Sequence, residues 1–225
     1  MSKISLKHSG GNVVSLNSPT SAPTSADVAF KLPNADGTSG QALVTDASGN
    51  LSFASVAGGK ILQVLQTVKK DRFTTTSSSY TDITGMTVTI TPTAASSKIL
   101  ITATGVTGST ADESYNHARL NRSINGGSFD DTIIIGDASG SETRSSLDMS
   151  LNDVNPSYPA ANTRTFSFEY LDSPSYSVGN AIIYKFQVKT TNSGGGTLVV
   201  GGSSGTGDNN GRSVPTFLTV KEVAA

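Results

Sequence analysis

Alternation of apolar and polar residues in the strand period dominates the chain beyond about residue 60. In Thr165-Phe166-Ser167-Phe168-Glu169-Tyr170 the three aromatics share one face and the small or charged residues the other. Ile182, Tyr184, Phe186 and Val188 oppose Ile183, Lys185, Gln187 and Lys189 in the same way. Runs rich in β-branched residues at 86–90, 98–104, 133–135, 163–170, 181–190 and 216–220 read as further strands. Asn125-Gly126 lies between 117–124 and 129–135 and predicts a hairpin with a primed turn. Segment 61–68 is ambiguous, because its apolar residues fall at helical spacing. A Gly-Gly start, the lack of an N-cap and the Thr-rich stretch after it favour a strand. With 146–152, the count reaches about eight to ten strands, which suits a two-sheet sandwich.

The first 59 residues read differently. They hold eleven Ser, seven Gly and two aromatics, Phe30 and Phe53, too little apolar surface for a globule that folds alone. Ile4, Leu6, Val13, Val14 and Leu16 flank Gly10-Gly11, and Ser18-Pro19 and Ala22-Pro23 come next. This predicts an extended arm whose scattered apolar residues order against a partner. Val28, Phe30 and Leu32 then share one face of an expected strand over 28–32. Asn34-Ala35-Asp36-Gly37 signals a turn, 41–45 a strand, 46–50 a second turn and 51–53 a returning strand. A lone short hairpin is marginal in water, so Val28, Phe30, Leu32, Leu43, Leu51 and Phe53 are expected to find apolar partners in other copies of the chain. The predicted division is an anchoring arm over 1–31, a hairpin stem over 32–59 and a β-sandwich over 60–225.

Composition removes most other readings. Lys plus Arg number 16 against 17 Asp plus Glu, a net charge of -1, which is not a polyelectrolyte built for phosphates. Lys69-Lys70 with Arg72 has no interleaved aromatics on which bases could stack, so no nucleic-acid partner is expected. Cys is absent, which removes disulfides, thiol nucleophiles and cysteine metal sites. Apolar runs reach three or four residues, so no membrane insertion is expected. The start of the chain has no apolar signal region, so synthesis without export by that route is expected.

Candidate chemistry is thin. His117 has Asp112, Glu113 and Ser114 just upstream, but neighbours on a strand or loop alternate in direction and do not assemble a triad. Asp130-Asp131, Asp148 and Asp153 set no defined carboxylate separation for glycoside hydrolysis. The glycine-rich stretches around 193–196 and 201–211 lack the Gly-Lys-Ser/Thr ending of a phosphate loop and the repeat of a calcium-binding β-roll. Asp208, Asn209 and Asn210 carry groups suited to sugar hydroxyls and form a candidate receptor loop. No enzyme and no cofactor are expected.

Leu32-Pro33-Asn34-Ala35-Asp36-Gly37-Thr38-Ser39-Gly40-Gln41-Ala42-Leu43-Val44-Thr45-Asp46-Ala47-Ser48-Gly49-Asn50-Leu51-Ser52-Phe53 resembles a module common in tailed-bacteriophage fibres. Tyr170-Leu171-Asp172-Ser173-Pro174, segment 184–188 and the closing Phe217-Leu218-Thr219-Val220-Lys221-Glu222-Val223 are similar to the heads of marine phage fibres. Those heads are in turn similar to the trimeric jelly rolls of the tumour necrosis factor superfamily. The resemblance spans residues 32–225 and implies an all-β fold, a short trimeric stem followed by a jelly-roll head; residues 1–31, the expected arm, lie outside it. It implies a homotrimeric virion protein on the particle exterior. From composition and position alone, Ile4, Leu6, Val13, Val14 and Leu16 are expected to anchor the chain to a major capsid protein or a tail or adaptor protein. The chain's length suits a head fibre or capsid decoration protein better than a tail fibre, which must project far. A tail fibre that binds a host surface glycan or protein is the second reading, and a free lectin-like trimer the third.

Overall fold

The computed structural model describes residues 3–7, 9–11, 13–17, 21, 30–46, 48–55, 61–111, 114–151, 163–191, 196–203 and 211–225. The chain divides into two compact units, Met1–Gly58 and Gly59–Ala225. Every regular element among the described residues is a β-strand.

In the first unit, β1 (Lys3–Lys7) and β2 (Val13–Asn17) pair antiparallel, with Ile4 opposite Leu16 and Leu6 opposite Val14. The expected extended arm is thus a hairpin. Gly11, at φ 94°, takes the left-handed backbone that the reversal needs, and each side of the turn offers the other a strand. β3 (Gln41–Thr45) and β4 (Leu51–Ser55) form a second hairpin with Leu43 opposite Phe53. Its turn is closed by Asp46: the Ser48 and Asn50 N–H groups donate to Oδ1 at 2.8 and 3.1 Å, and Asn50 Nδ2 donates to Oδ2 at 2.6 Å. The strand expected over 28–32 does not appear in its described part. Phe30 to Leu32 add a single parallel bridge, Lys31 to Asn50. Lys31 uses both backbone groups there, and Pro33 has no N–H with which to extend the ladder.

The second unit contains β5 (Ile61–Lys69), β6 (Phe73–Thr75), β7 (Thr81–Ile90), β8 (Lys98–Ser109), β9 (Asn116–Ile124), β10 (Leu147–Asp148), β11 (Thr163–Asp172), β12 (Ile182–Thr190), β13 (Leu198–Val200) and β14 (Thr216–Val223). The ambiguous segment is a strand, β5. One sheet runs β7-β12-β9-β10. In the other, β5 pairs β14, β14 pairs β8, and β11 takes the second edge of β8. All these pairings are antiparallel, and this winding of eight strands is that of a jelly roll. β13 follows β14 along the same edge of β8 and itself pairs β6.

Inward residues of both sheets make one apolar cluster. Ile99, Ile101, Leu218 and Val220 come from one sheet, and Val88, Leu120, Ile182, Tyr184 and Val188 from the other. Phe168 and Phe186 meet edge to face across the gap, with centroids 5.3 Å apart. The alternations over 165–170 and 182–189 hold as expected. Asn125 and Gly126 both have positive φ, 51° and 74°, as a primed turn requires.

The strand expected after that turn does not form. The chain pairs back once, Arg122 with Asp130, and then leaves the sheet. Residues 133–135 are a turn whose Ile133 and Ile134 pack on the core, while β10 takes the edge of β9 at Ala118 and His117. The strand expected over 146–152 shrinks to β10 and one bridge, Leu151 with Ser114.

Three charged residues of this unit are buried, each with partners: Lys69, which donates to Asp71 at 2.8 Å, Asp172 and Glu222. Asp172 accepts bonds from Arg122 Nη1 at 2.8 and 3.0 Å and from the Tyr184 hydroxyl at 2.6 Å, joining the two sheets. Burial and the adjoining carboxylate push the Tyr184 phenol far above its usual range. Glu222 accepts from the N–H groups of Thr93 and Ala94 and from Gln63 Nε2 at 2.7 Å. Burial pushes its carboxyl up, but these donors outweigh it and hold the group below its ordinary value. Glu222 thereby fastens the β7–β8 turn to β14.

Candidate functional site

Sheet register places the unit's surfaces without ambiguity. Ile61, Lys98 and Val223 share one end of the sandwich, where the chain enters it. Ser109, Asn116, Thr190 and Leu198 mark the other. The described residues 110–111, 114–115, 191 and 196–197 are at that distal end.

The outer face of the four-stranded sheet carries the unit's densest charge. Lys185 Nζ donates to Asp82 at 2.8 Å and lies 4.0 Å from the centre of the Phe129 ring. Gln187 joins Asp82 to Asn121. Burial raises the Asp82 carboxyl, but Lys185 and Gln187 prevail and leave it low. Arg119 bonds Asp131 at 2.7 Å and stacks 4.2 Å from the centre of the Tyr80 ring, with Lys189 on the same ring at 5.2 Å. Arg119 also donates to the Arg144 carbonyl. These contacts hold residues 125–146, a long connection, flat against the sheet. The face is covered by its own chain.

His117 belongs to this face, in register with Asp148 on one side and Lys189 on the other. Half-burial lowers its pKa, Lys189 adds to that, and Asp148 opposes it. Nothing here places a nucleophile against it: Ser114 is fully buried, and Asp112 and Glu113 lie outside the described residues. Among the described residues no three His, Asp or Glu side chains are grouped to hold a metal ion.

The outer face of the other sheet is the opposite in character. Cross-strand rows run Val68–Phe217–Thr104–Ser167, Gln66–Thr219–Thr102–Glu169 and Val64–Lys221–Leu100–Leu171. No chain segment covers it among the described residues. Val64 is 55% exposed and Leu171 45%, and Leu62 and Val68 also face water. Strand faces in contact with water normally alternate to polar; here the exposed Val64, Val68 and Leu171 stand on a mixed face among Gln66, Thr219, Lys221 and Glu169.

The first unit also exposes apolar residues. Leu32 is 79% exposed, Phe30 63% and Leu43 50%. Residues 31–36, Gln41 and 50–53 line an open groove of about 610 Å³. Phe53 and Leu43 adjoin its apolar part beside Leu32, and Leu51 is half-buried at its wall. Of the expected stem residues, Leu32 and Phe53 line both this groove and a smaller neighbouring one, Leu51 only the first and Leu43 only the second. Val28 lies outside the described residues, as do Asp208, Asn209 and Asn210. Ile4, Leu6, Val13, Val14 and Leu16 are placed by register alone, as two facing rows of the β1–β2 hairpin.

Reading by residue type missed the buried charges. Asp172 continues the inward series Phe166, Phe168, Tyr170, and Glu222 continues Leu218, Val220. Parity alone marks both as interior, and that signal was in the pattern.

No known protein-family description matches the chain, and no curated protein does. Solved structures do match, among them a chain from the structure of the infectious bursal disease virus Gx strain. It is 16% identical at a TM-score of 0.31, with 95% of this chain and 46% of that one covered. This chain spans about half the length of that neighbour, and a likeness at that level carries no argument about function.

Proposed function

We propose that the chain is a virion structural protein of a tailed phage, a homotrimeric fibre or spike of the head-fibre or capsid-decoration kind. Its N-terminal hairpin, with Ile4, Leu6, Val13, Val14 and Leu16, attaches to the particle. Its jelly roll is presented outward. The observation that carries this reading is the uncovered outer sheet face on which Val64, Val68 and Leu171 stand exposed, with Leu100 and Phe217 beside them, among polar neighbours. A surface of that kind fits a protomer whose interior is completed by copies of itself.

The groove around Leu32 and Phe53 supports the same reading from the other unit, as does the fibre-like module over 32–53. The polarity of the sandwich agrees with it, since the chain enters at one end and loops cluster at the other. Host surface glycan or protein would then meet those distal loops. Electron cryo-microscopy of particles carrying a label after residue 225 tests the assignment. Label over the shell is the expected result, label on the tail replaces the head fibre by a tail fibre, and its absence from particles overturns the virion reading.

A further inference from the structure

The interior changes character along the sandwich. At the proximal end Ile90, Ile99, Ile182 and Val220 surround the buried Asp172 and Glu222, whose carboxylates are fully partnered. At the distal end Leu198 and Val200 are joined by the inward polar residues Thr107, Ser109, Asn116, Thr190 and Thr216, each at most 3% exposed. Among the described residues, four of their polar atoms have no hydrogen-bond partner: Thr107 Oγ1, Asn116 Oδ1, Thr190 Oγ1 and Thr216 Oγ1.

Two of these atoms belong to residues that face each other across a strand pair. Asn116 and Thr190 sit directly opposite each other on β9 and β12. Side chains so paired are about 4.5–5.5 Å apart at Cβ, which one water molecule can bridge. Thr107 and Thr216 occupy the inner face of the facing sheet. Turning the Asn116 amide over does not satisfy it. Nδ2 now donates to Ser114 Oγ and to the Met149 carbonyl at 3.5 Å, and the reversed amide would turn its oxygen on that carbonyl.

Four orphaned groups in a dry interior would cost free energy comparable with the stability of a whole domain. The compartment's lining is neutral. Asp148 bonds Ser150 from the outer side, and Arg164 reaches the Ser150 carbonyl from an exposed position. A neutral, hydroxyl-and-amide lining calls for a neutral partner that both donates and accepts. We infer that the distal end of the jelly roll holds internal water that bridges Asn116 to Thr190. Water of this kind makes two to four bonds and belongs to the fold.

The sign of a stability change distinguishes this from a dry interior. Thr190→Val keeps the shape and removes the hydroxyl. If water bridges the pair, the full chain melts about 2–4 °C lower, since the water loses a partner. If the compartment is dry, the variant melts at the same temperature or higher, and the inference fails. A crystal structure of the unaltered chain gives an independent answer even where a variant does not fold. Water density within hydrogen-bond distance of Asn116 Oδ1 and Thr190 Oγ1 supports the inference. Its absence, in maps that show ordered surface waters, overturns it.

Discussion

The two units use the same kinds of residue to opposite ends. In Gly59–Ala225, leucines and phenylalanines such as Leu120, Leu218 and Phe168 close on one another between two sheets. In Met1–Gly58, Phe30, Leu32 and Leu43 stand largely in water, and Leu32 lines an open groove. Sequence length explains much of the contrast, because a 58-residue segment buries a smaller fraction of its surface than the 167 residues after it. Ten strands can enclose an interior, whereas two separate hairpins cannot. A stretch of chain can thus carry a regular apolar pattern and still lack a core, and it then stays incomplete until a partner supplies one.

Substitutions break this contrast in a graded way. The largest effect belongs to the polar clamp of the closed unit. Asp172→Ala leaves Arg122 and Tyr184 facing an uncompensated interior, and chemical denaturation should show a loss of about 3–5 kcal/mol. A loss below about 1 kcal/mol would mean that the clamp is solvated.

The same truncation in the two units comes next. Leu120→Ala opens a cavity and should cost about 2–5 kcal/mol of unfolding free energy. Leu43→Ala, measured at concentrations low enough to populate protomers, should change it by no more than about 0.5 kcal/mol. Its effect should appear instead as weaker association. Equal losses at the two positions would refute the distinction between a closed and an open unit.

On the uncovered sheet face, Val64→Lys should convert assemblies to protomers in sedimentation while the β-sheet circular dichroism stays as it was. Retention of the assembly would move the interface elsewhere.

The smallest effect is electrostatic. The lowered pKa of His117 means that the unfolded chain takes up its proton first, so stability falls as the pH drops below the ordinary histidine value of 6.5. The lowered carboxyls of Asp82 and Glu222 add a second loss further into acid, below their ordinary values of 3.8 and 4.5. His117→Asn should flatten the first fall in melting temperature and leave the second.

Much of this fold is written in parity. The alternations over 165–170 and 182–189 placed β11 and β12 and named their inward faces, and Asn125-Gly126 placed a turn. The path of the chain beyond that turn was not legible. The β-branched run at 133–135 looks like a strand, yet edge competition from β10 and core contacts of Ile133 and Ile134 hold it as a turn. Likewise, Gly10-Gly11 read as a break in an arm, although the register across it makes a hairpin. Long-range pairing decides such cases, and local propensity does not contain it. The polar distal interior was hidden for a related reason: Thr107 and Thr190 look like ordinary strand threonines until two sheets are brought face to face.

If one protomer is incomplete by itself, its native mass at micromolar concentration reveals that directly. A species of three times 23.0 kDa that persists on dilution is the predicted result. A well-ordered species of 23.0 kDa, with its outer sheet face and groove open to water, would contradict it.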